Sequence, residues 1–358
     1  MLSSTSSSNG ASLSTEAEPE PGKLWFYGGN GNLGAPAARQ NVGTGGWTGA
    51  LIAHRGDLKG MSSRDSAPDG YEDFLVRLPD NRLYVYPGNG VGSPWVYTRK
   101  PLAHPSQGSD WLGLRQMLLP GNIDGKLGND LITVECVYDG SGNCYNARLL
   151  LYSGLVIGGG GQDQTKPFDW ANPVVLGTGG WRDLSSLAVS DVNGDAYADL
   201  IARDPDNGKL YLYPGCINDA KDCPNSGYKL LERSVYGTGG WSQRPYLTSP
   251  GNTQGALLND TVTTLPSPDL PPDDPQNQPV THNFKRFIPT AGQEHGDIWA
   301  TTPADPDTPV GYVDSAGNWT SVLCPTGCLL TYPGTPTGHG SPRLAGTGGW
   351  ATLITGIF

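Results

Sequence analysis

The pentapeptide Gly-Thr-Gly-Gly-Trp occurs four times in the chain, ending at Trp47, Trp181, Trp241 and Trp350. A degraded copy, Gly108-Ser109-Asp110-Trp111, makes a fifth, and the intervals between the tryptophans are 64, 70, 60 and 109 residues. A second string keeps step with the first: an apolar run that enters a tyrosine and closes on glycine, Tyr-Pro-Gly in its full form. Its copies are Leu24 to Gly28, Leu83 to Gly88, Leu149 to Gly154, Leu210 to Gly215 and Leu329 to Gly334. Two motifs in phase at this period mark a chain of repeated supersecondary units. The 52 Gly and 31 Pro among 358 residues exclude long helices, because each such residue costs a helix interior roughly 1 or 3 kcal/mol. No three-residue glycine period is present, which excludes collagen. The 10 Trp and 16 Tyr exclude wholesale disorder.

A third element lies between each Trp and the next Tyr string, clearest from Leu187 to Arg203. One repeat then reads as a Trp turn, a strand, an acidic loop, a second strand, a tight turn, a Tyr strand, a Gly-rich loop and an outer strand. Asp206-Asn207-Gly208 and Pro79-Asp80-Asn81 have the chemistry of hairpin turns. A four-stranded sheet cannot bury both faces alone, so the expected fold is an all-β β-propeller of about five four-stranded antiparallel blades, with six or seven as the alternative. The chain opens on a third strand, Lys23 to Tyr27, and ends on a first strand, Ala351 to Phe358. Pairing of these terminal strands would close the ring and hide its edges. The closing blade has no evident second strand. The long last interval is expected to be one blade with a Pro/Asp-rich insertion near 266–283. Residues 1–22 read as a Ser/Glu/Pro-rich linker or tail without the apolar run of a signal peptide, and 23–358 as the propeller. On this reading the export signal has been removed or the chain is one part of a longer secreted protein or complex.

Six cysteines fall into three close pairs, Cys136 with Cys144, Cys216 with Cys223, and Cys324 with Cys328. Zinc sites usually bring two close-spaced sets to one point, whereas these pairs lie in different repeats. Three loop-stapling disulfides are therefore expected, and with them an extracellular setting. The net charge of −11 argues against nucleic acid as a partner and makes a cation a natural one. No apolar run is long enough for a membrane span.

The acidic loop Asp191-x-Asn193-x-Asp195-x-Tyr197-x-Asp199 carries oxygen side chains at positions 1, 3, 5 and 9, with the Tyr197 carbonyl available at 7. Ca²⁺ takes 6–8 oxygens, and alternate residues of a tight loop can turn inward together. Asp57, Asp69, Tyr71 and Asp73 form a second, interrupted copy. Asn122, Asp124 and Asp130 form a weaker one, in which Lys126 takes the place of Asp195. The stretch Asn252 to Asp260 keeps one carboxylate, and no calcium is expected there. The loop, followed by Leu-Ile-Ala-Arg and Leu-Tyr-Leu-Tyr-Pro-Gly, resembles the FG-GAP/VCBS repeat of integrin α-chain propellers and secreted actinobacterial proteins. That resemblance covers about 23–358 and implies a calcium-stapled extracellular propeller used in adhesion or ligand binding, with sugar-binding lectins among related propellers.

No nucleophile elbow, zinc-protease pair or phosphate-cradling loop is present, and the five histidines sit in unrelated loops. The motif tryptophans Trp47, Trp181, Trp241 and Trp350 have two readings: packing between blades, or rings offered to a sugar face. Trp25, Trp95, Trp170, Trp299 and Trp319 break the repeat phase and are better candidates for a ligand surface. The expected function is a non-catalytic secreted recognition module that binds carbohydrate or an extracellular protein. The alternatives are the accessory propeller of a secreted hydrolase, or an enzyme whose site is assembled between blades.

Overall fold

A computed structural model describes residues 2–4, 22–27, 38–56, 58, 73–88, 99–102, 111–126, 128–155, 167–217, 223, 227–251, 255–264, 280–289, 295–336, 338–351 and 356–357. Among these the chain is all-β; its only helical segment is a 3-10 turn at Trp241–Gln243. Five four-stranded antiparallel sheets form among the described residues. Sheet 1 runs Gly356–Ile357, Leu2–Ser4, Leu24–Phe26, Gln40–Gly43. Sheet 2 runs Leu51–Gly56, Asp73–Arg77, Leu83–Tyr86, Lys100–Pro101, and sheet 3 Leu114–Gly121, Asp130–Tyr138, Cys144–Tyr152, Val174–Gly177. Sheet 4 runs Ser186–Ser190, Asp199–Asp204, Lys209–Tyr213, Ser234–Gly237, and sheet 5 Leu247–Gly251, Asp297–Thr301, Leu329–Tyr332, Arg343–Gly346.

The Trp turn follows from its glycines. A Cβ on Gly43, Gly177, Gly237 or Gly346 would stand 2.0–2.4 Å from the indole Nε1 of the tryptophan four residues on. The glycine before each of those tryptophans has φ between 80° and 82°, a conformation that a side chain penalises. The first glycine also pairs with the leucine that opens the Tyr strand, and in sheets 1, 3, 4 and 5 the register shifts right after that pair. The bulge bends the outer strand into the turn. The indole then folds back into the space that the missing Cβ leaves, between one sheet and the next. There it meets the tyrosine of the following repeat: Trp47 on Tyr86, Trp181 on Tyr213, Trp241 on Tyr332 and Trp350 on Tyr27, with ring centroids 4.8–5.2 Å apart.

These contacts organise the core. Each of five apolar clusters joins two consecutive sheets and contains one turn tryptophan: Trp47 between sheets 1 and 2, Trp111 between 2 and 3, Trp181 between 3 and 4, and Trp241 between 4 and 5. The fifth holds Trp350 and joins sheet 5 to Ile357 of sheet 1, so the sequence of packed sheets returns to its start. The second-strand arginines add polar ties. Arg203 donates to the carbonyls of Trp241 and Pro245, and Arg77 to that of Leu114. First-strand residues of sheets 2 to 5, with Ile357, line a common cavity of about 220 Å³. The arrangement is that of a β-propeller.

Three features differ from the sequence reading. Residues 2–4, expected in a linker, supply the second strand of sheet 1, pairing with Leu24–Phe26 on one side and Gly356–Ile357 on the other. A three-residue strand of Leu and Ser has no alternation to announce it. The last interval is one sheet, but its insertion is broader than 266–283: Gly255–Thr264 pairs with Val280–Pro289 in full register, and 265–279 lies outside the described residues. Thus the part of that stretch from Gly255 to Asp260 is not an acidic loop but the first strand of this hairpin, and 252–254 lies outside the described residues. A second insertion, Asp305–Val313 paired with Trp319–Cys324, sits between the second and third strands of sheet 5.

The turn glycines give a direct test. Gly177→Ala forces a methyl into the Trp181 indole and is expected to cost about 1–3 kcal/mol of stability or more. Gly239→Ala meets nothing within 4 Å and should leave the unfolding midpoint nearly unchanged. Equal losses in thermal melts of the two variants would contradict this account.

Candidate functional site

In sheets 2 to 5 a buried carboxylate opens the second strand, and the acidic loops are built around it. Asp73, Asp130, Asp199 and Asp297 are all fully buried. Each accepts the backbone N–H of the glycine that closes the Tyr string: Gly88 at 2.9 Å, Gly154 at 2.7 Å, Gly215 at 2.9 Å and Gly334 at 2.9 Å. The other oxygen reaches back into the first loop. It accepts from Leu58 N in sheet 2, from Ile123 N and Asp124 N in sheet 3, and from Val192 N and Asn193 N in sheet 4. One carboxylate thereby pins two loops, which explains the Gly of Tyr-Pro-Gly. A Cβ on Gly215 would lie 1.9 Å from the Ala198 carbonyl, and one on Gly154 2.4 Å from that of Asn129. Asp297 escaped sequence reasoning because the long insertion displaced the loop frame, although Asp-Ile-Trp-Ala echoes Asp-Leu-Ile-Ala.

Asp191, Asn193, Asp195, Tyr197 and Asp199 do share one compact turn. Asp191 accepts from Gly194 N at 2.7 Å and Ala196 N at 2.9 Å; Asn193 accepts from Asp195 N and Asp195 from Tyr197 N, both at 2.8 Å. Gly194 and Ala196 take positive φ, 78° and 70°. The Asn193 amide stands between two carboxylates, donating to Asp195 Oδ2 at 2.8 Å and Asp199 Oδ1 at 3.3 Å. Burial pushes Asp199 up to about 7, against three backbone N–H bonds that pull it down, with the Asp195 charge adding to the rise. Burial likewise raises Asp130. In the sheet 3 loop an ammonium lies beside the carboxylate of Asp124. Lys126 Nζ lies 3.2 Å from Asp124 Oδ2 and donates to Ser153 Oγ at 2.8 Å, while Ser153 donates to Asp124 at 2.6 Å. Asn122 accepts from Gly125 N at 3.2 Å, as Asp191 does from Gly194.

The side chains of Asp191, Asn193, Asp195 and Asp199 offer the sheet 4 loop oxygen atoms of the kind a hard cation takes, two of the carboxylates being met by the Asn193 amide. Among the described residues no three acidic, His or Cys side chains converge as a formed cage. Asp57, Asp69 and Tyr71 lie outside the described residues; Asp73 of that set is the buried pin of sheet 2.

The four motif tryptophans offered as sugar-stacking rings are 4–5 % exposed. Their faces are taken by a glycine on one side and a tyrosine on the other, which corrects the binding assignment in favour of packing. Burial also sorts the out-of-phase set. Trp170 and Trp299 are buried, Trp25 is half-buried under Arg39, and Trp319 is 66 % exposed; Trp95 lies outside the described residues. The three cysteine pairs are disulfides as expected, Cys136–Cys144, Cys216–Cys223 and Cys324–Cys328, compatible with an oxidising compartment. No helix among the described residues is long and apolar enough to cross a membrane. His295 packs over Gly194 with Nδ1 3.1 Å from the Val192 carbonyl, and His54 lines the central cavity. His339 is enclosed by Tyr236, Trp241 and Tyr332. No known family model matches the chain, and no curated protein matches it in sequence.

Two measurements test this construction. Asp297→Ala leaves the part-buried Gly334 N–H without this acceptor and is expected to cost about 1–3 kcal/mol in urea unfolding. Asp297→Asn, which keeps one acceptor oxygen, should lose less. Burial lowers His339 from its ordinary value of 6.5. A depressed pKa means that the unfolded chain binds the proton more tightly, so His339 contributes stability above pH 6.5 that is lost as pH falls through the folded value. His339→Phe should flatten the acid side of the stability profile; an unchanged slope would count against that role.

Proposed function

We propose that the chain is a non-catalytic, secreted recognition module: a five-bladed, calcium-stabilised β-propeller of the FG-GAP/VCBS type that binds a carbohydrate ligand. The five sheets are its blades, and the Leu2–Ser4 and Gly356–Ile357 strands close it. The observation that carries the reading is the division of labour between motif and insertion. Residues of the repeat motifs are consumed by the ring: indoles against glycines, carboxylates against loop N–H groups. Segments that depart from the repeat extend from it as hairpins, three of them beside disulfides: Cys136–Cys144 in the long sheet 3 hairpin, Cys216–Cys223 in the short sheet 4 hairpin and Cys324–Cys328 beside the second sheet 5 insertion. A stiff ring carrying tied hairpins is suited to binding, because little conformational freedom remains to be lost when a ligand docks.

In the sheet 4 loop Asp191, Asn193, Asp195, the Tyr197 carbonyl and Asp199 would hold Ca²⁺. The bound ion would neutralise three carboxylates that otherwise repel one another. Asp195 is the exposed member, so its loss leaves the buried pin intact. Lys126 serves the same end in sheet 3 with its own charge. That loop needs no metal.

Asp195→Ala is expected to lower the melting temperature in calcium by several degrees and to abolish the shift that a chelator causes in the wild-type protein. A wild-type melt indifferent to chelator would refute the site. On a glycan array the wild-type protein should bind, and less so after chelation. A blank array beside capture of a protein partner would overturn the carbohydrate assignment; glycan hydrolysis would overturn the non-catalytic one.

A further inference from the structure

The hairpin inserted in sheet 5 presents one feature that the ring does not use. Along Trp319–Cys324 exposure alternates, so Trp319, Ser321 and Leu323 share the outer face. Across the hairpin they oppose Val313, Gly311 and Pro309. The Trp319 indole lies diagonally over Gly311, where a Cβ would come within 2.5 Å of its Cζ2. One ring face is thus seated on bare backbone, and the side chain is still 66 % exposed. The platform is held from several directions. Arg343 donates to the Asp314 carbonyl at 2.9 Å, Val313 N donates to the Pro342 carbonyl at 2.8 Å, and the strand ends at the buried Cys324–Cys328 disulfide. At the tip Asp314 accepts from Ala316 N and Asn318 N and fixes the turn.

We infer that Trp319 is the stacking platform for a neutral sugar residue of a glycan, on the propeller face that carries the Trp turns. The inference rests on the carbohydrate reading above and names its site. The face follows from topology: this hairpin joins a second strand to a third, the end at which Trp241 N donates to the Gly208 carbonyl of the preceding turn. A flat indole, open on one side, suits the apolar C–H face of a pyranose, as amphipathic aromatics suit mixed surfaces. The flanking Asn318 amide and Ser321 hydroxyl are exposed and make no side-chain hydrogen bond among the described residues, so they remain available to sugar hydroxyls. The charge selects a neutral ligand. Residues 305–324 hold Asp305, Asp307 and Asp314 and no Lys or Arg, and the whole chain carries −11. Uronate or sulfated polymers would be repelled.

The full chain, in calcium, is titrated with neutral gluco-, xylo- and manno-oligosaccharides and with polygalacturonate, by calorimetry and tryptophan fluorescence. Binding of a neutral oligosaccharide is expected, with Trp319→Ala weakening it about tenfold or more and Trp319→Phe retaining most of it, at unchanged melting temperature. Equal affinity in wild type and Trp319→Ala overturns the site while leaving the carbohydrate reading standing. Absence of glycan binding by the wild type overturns both. Preference for polygalacturonate overturns the neutral assignment. A wild-type dimer that dissociates on Trp319→Ala, without any change in glycan affinity, makes a second copy the occupant and overturns the inference.

Discussion

An indole laid against the Cα of a glycine four residues earlier is the contact on which the other contacts of the chain depend. It requires a residue without a Cβ at the end of the outer strand, a left-handed glycine just before the tryptophan, and a register shift that turns the strand. None of these is useful alone. Together they carry a large ring into the gap between two sheets, where burying its roughly 200 Å² is worth about 5 kcal/mol before ordering costs. The tyrosine it meets belongs to the next repeat, so each contact joins one repeat to its successor. A repeat of this kind has no complete core of its own. Its sheets become stable by being arranged so that the last packs against the first.

The opposite end of sheets 2 to 5 is governed by charge. There a buried aspartate holds the two loops together through backbone N–H groups, in four sheets and with the same glycine partner each time. A carboxylate so deeply buried is costly to ionise, and the rise of Asp199 to about 7 expresses that cost. The loop around it differs between sheets. Sheet 4 gathers further carboxylates about an amide, and sheet 3 brings in Lys126. Sheet 5 replaces the loop by a hairpin while keeping Asp297. What is constant is the pin; what varies is how negative charge near it is balanced. In sheet 3 the balance is a lysine, and in sheet 4 an amide stands between two of the carboxylates.

Much of this was legible in the sequence because the ring uses the same residues repeatedly. Gly-Thr-Gly-Gly-Trp, the Tyr string and the Asp at the head of the second strand are local patterns, and the paired cysteines are close enough for proximity to decide. Other features are set by distant partners. Leu2–Ser4 becomes a strand only because Leu24–Phe26 and Gly356–Ile357 flank it. Asp297 takes its role from Gly334, across an insertion that disguises the frame. The motif tryptophans could be read as packing or as binding until their neighbours were known; the tyrosine on one side and the glycine on the other decide it. Trp319 was marked only by being out of phase, and Trp299 shares that mark while lying in the core.

That last contrast shows where recognition can reside in such a molecule. A motif that recurs in every repeat must meet the same neighbours in every repeat, so its side chains are committed to contacts between sheets. Variation there would break the ring. The connections are under no such constraint, since a hairpin can lengthen without moving the strands at its base. Sheet 5 has used this freedom in its two long hairpins, sheet 4 in the short one at Gly215–Cys216, and sheet 3 in its long Cys136–Cys144 hairpin, where Tyr138 and Tyr145 are exposed. Two of the three disulfide-tied extensions, those of Cys136–Cys144 and Cys324–Cys328, leave the second strand for the third, and so emerge at the Trp-turn end; the third, Cys216–Cys223, ties the short Gly215–Cys216 and Lys229–Leu230 hairpin between the third and outer strands of sheet 4. The two ends are therefore free to differ in function: one keeps the loops and their charge in balance, while the other displays aromatic surface on rigid supports.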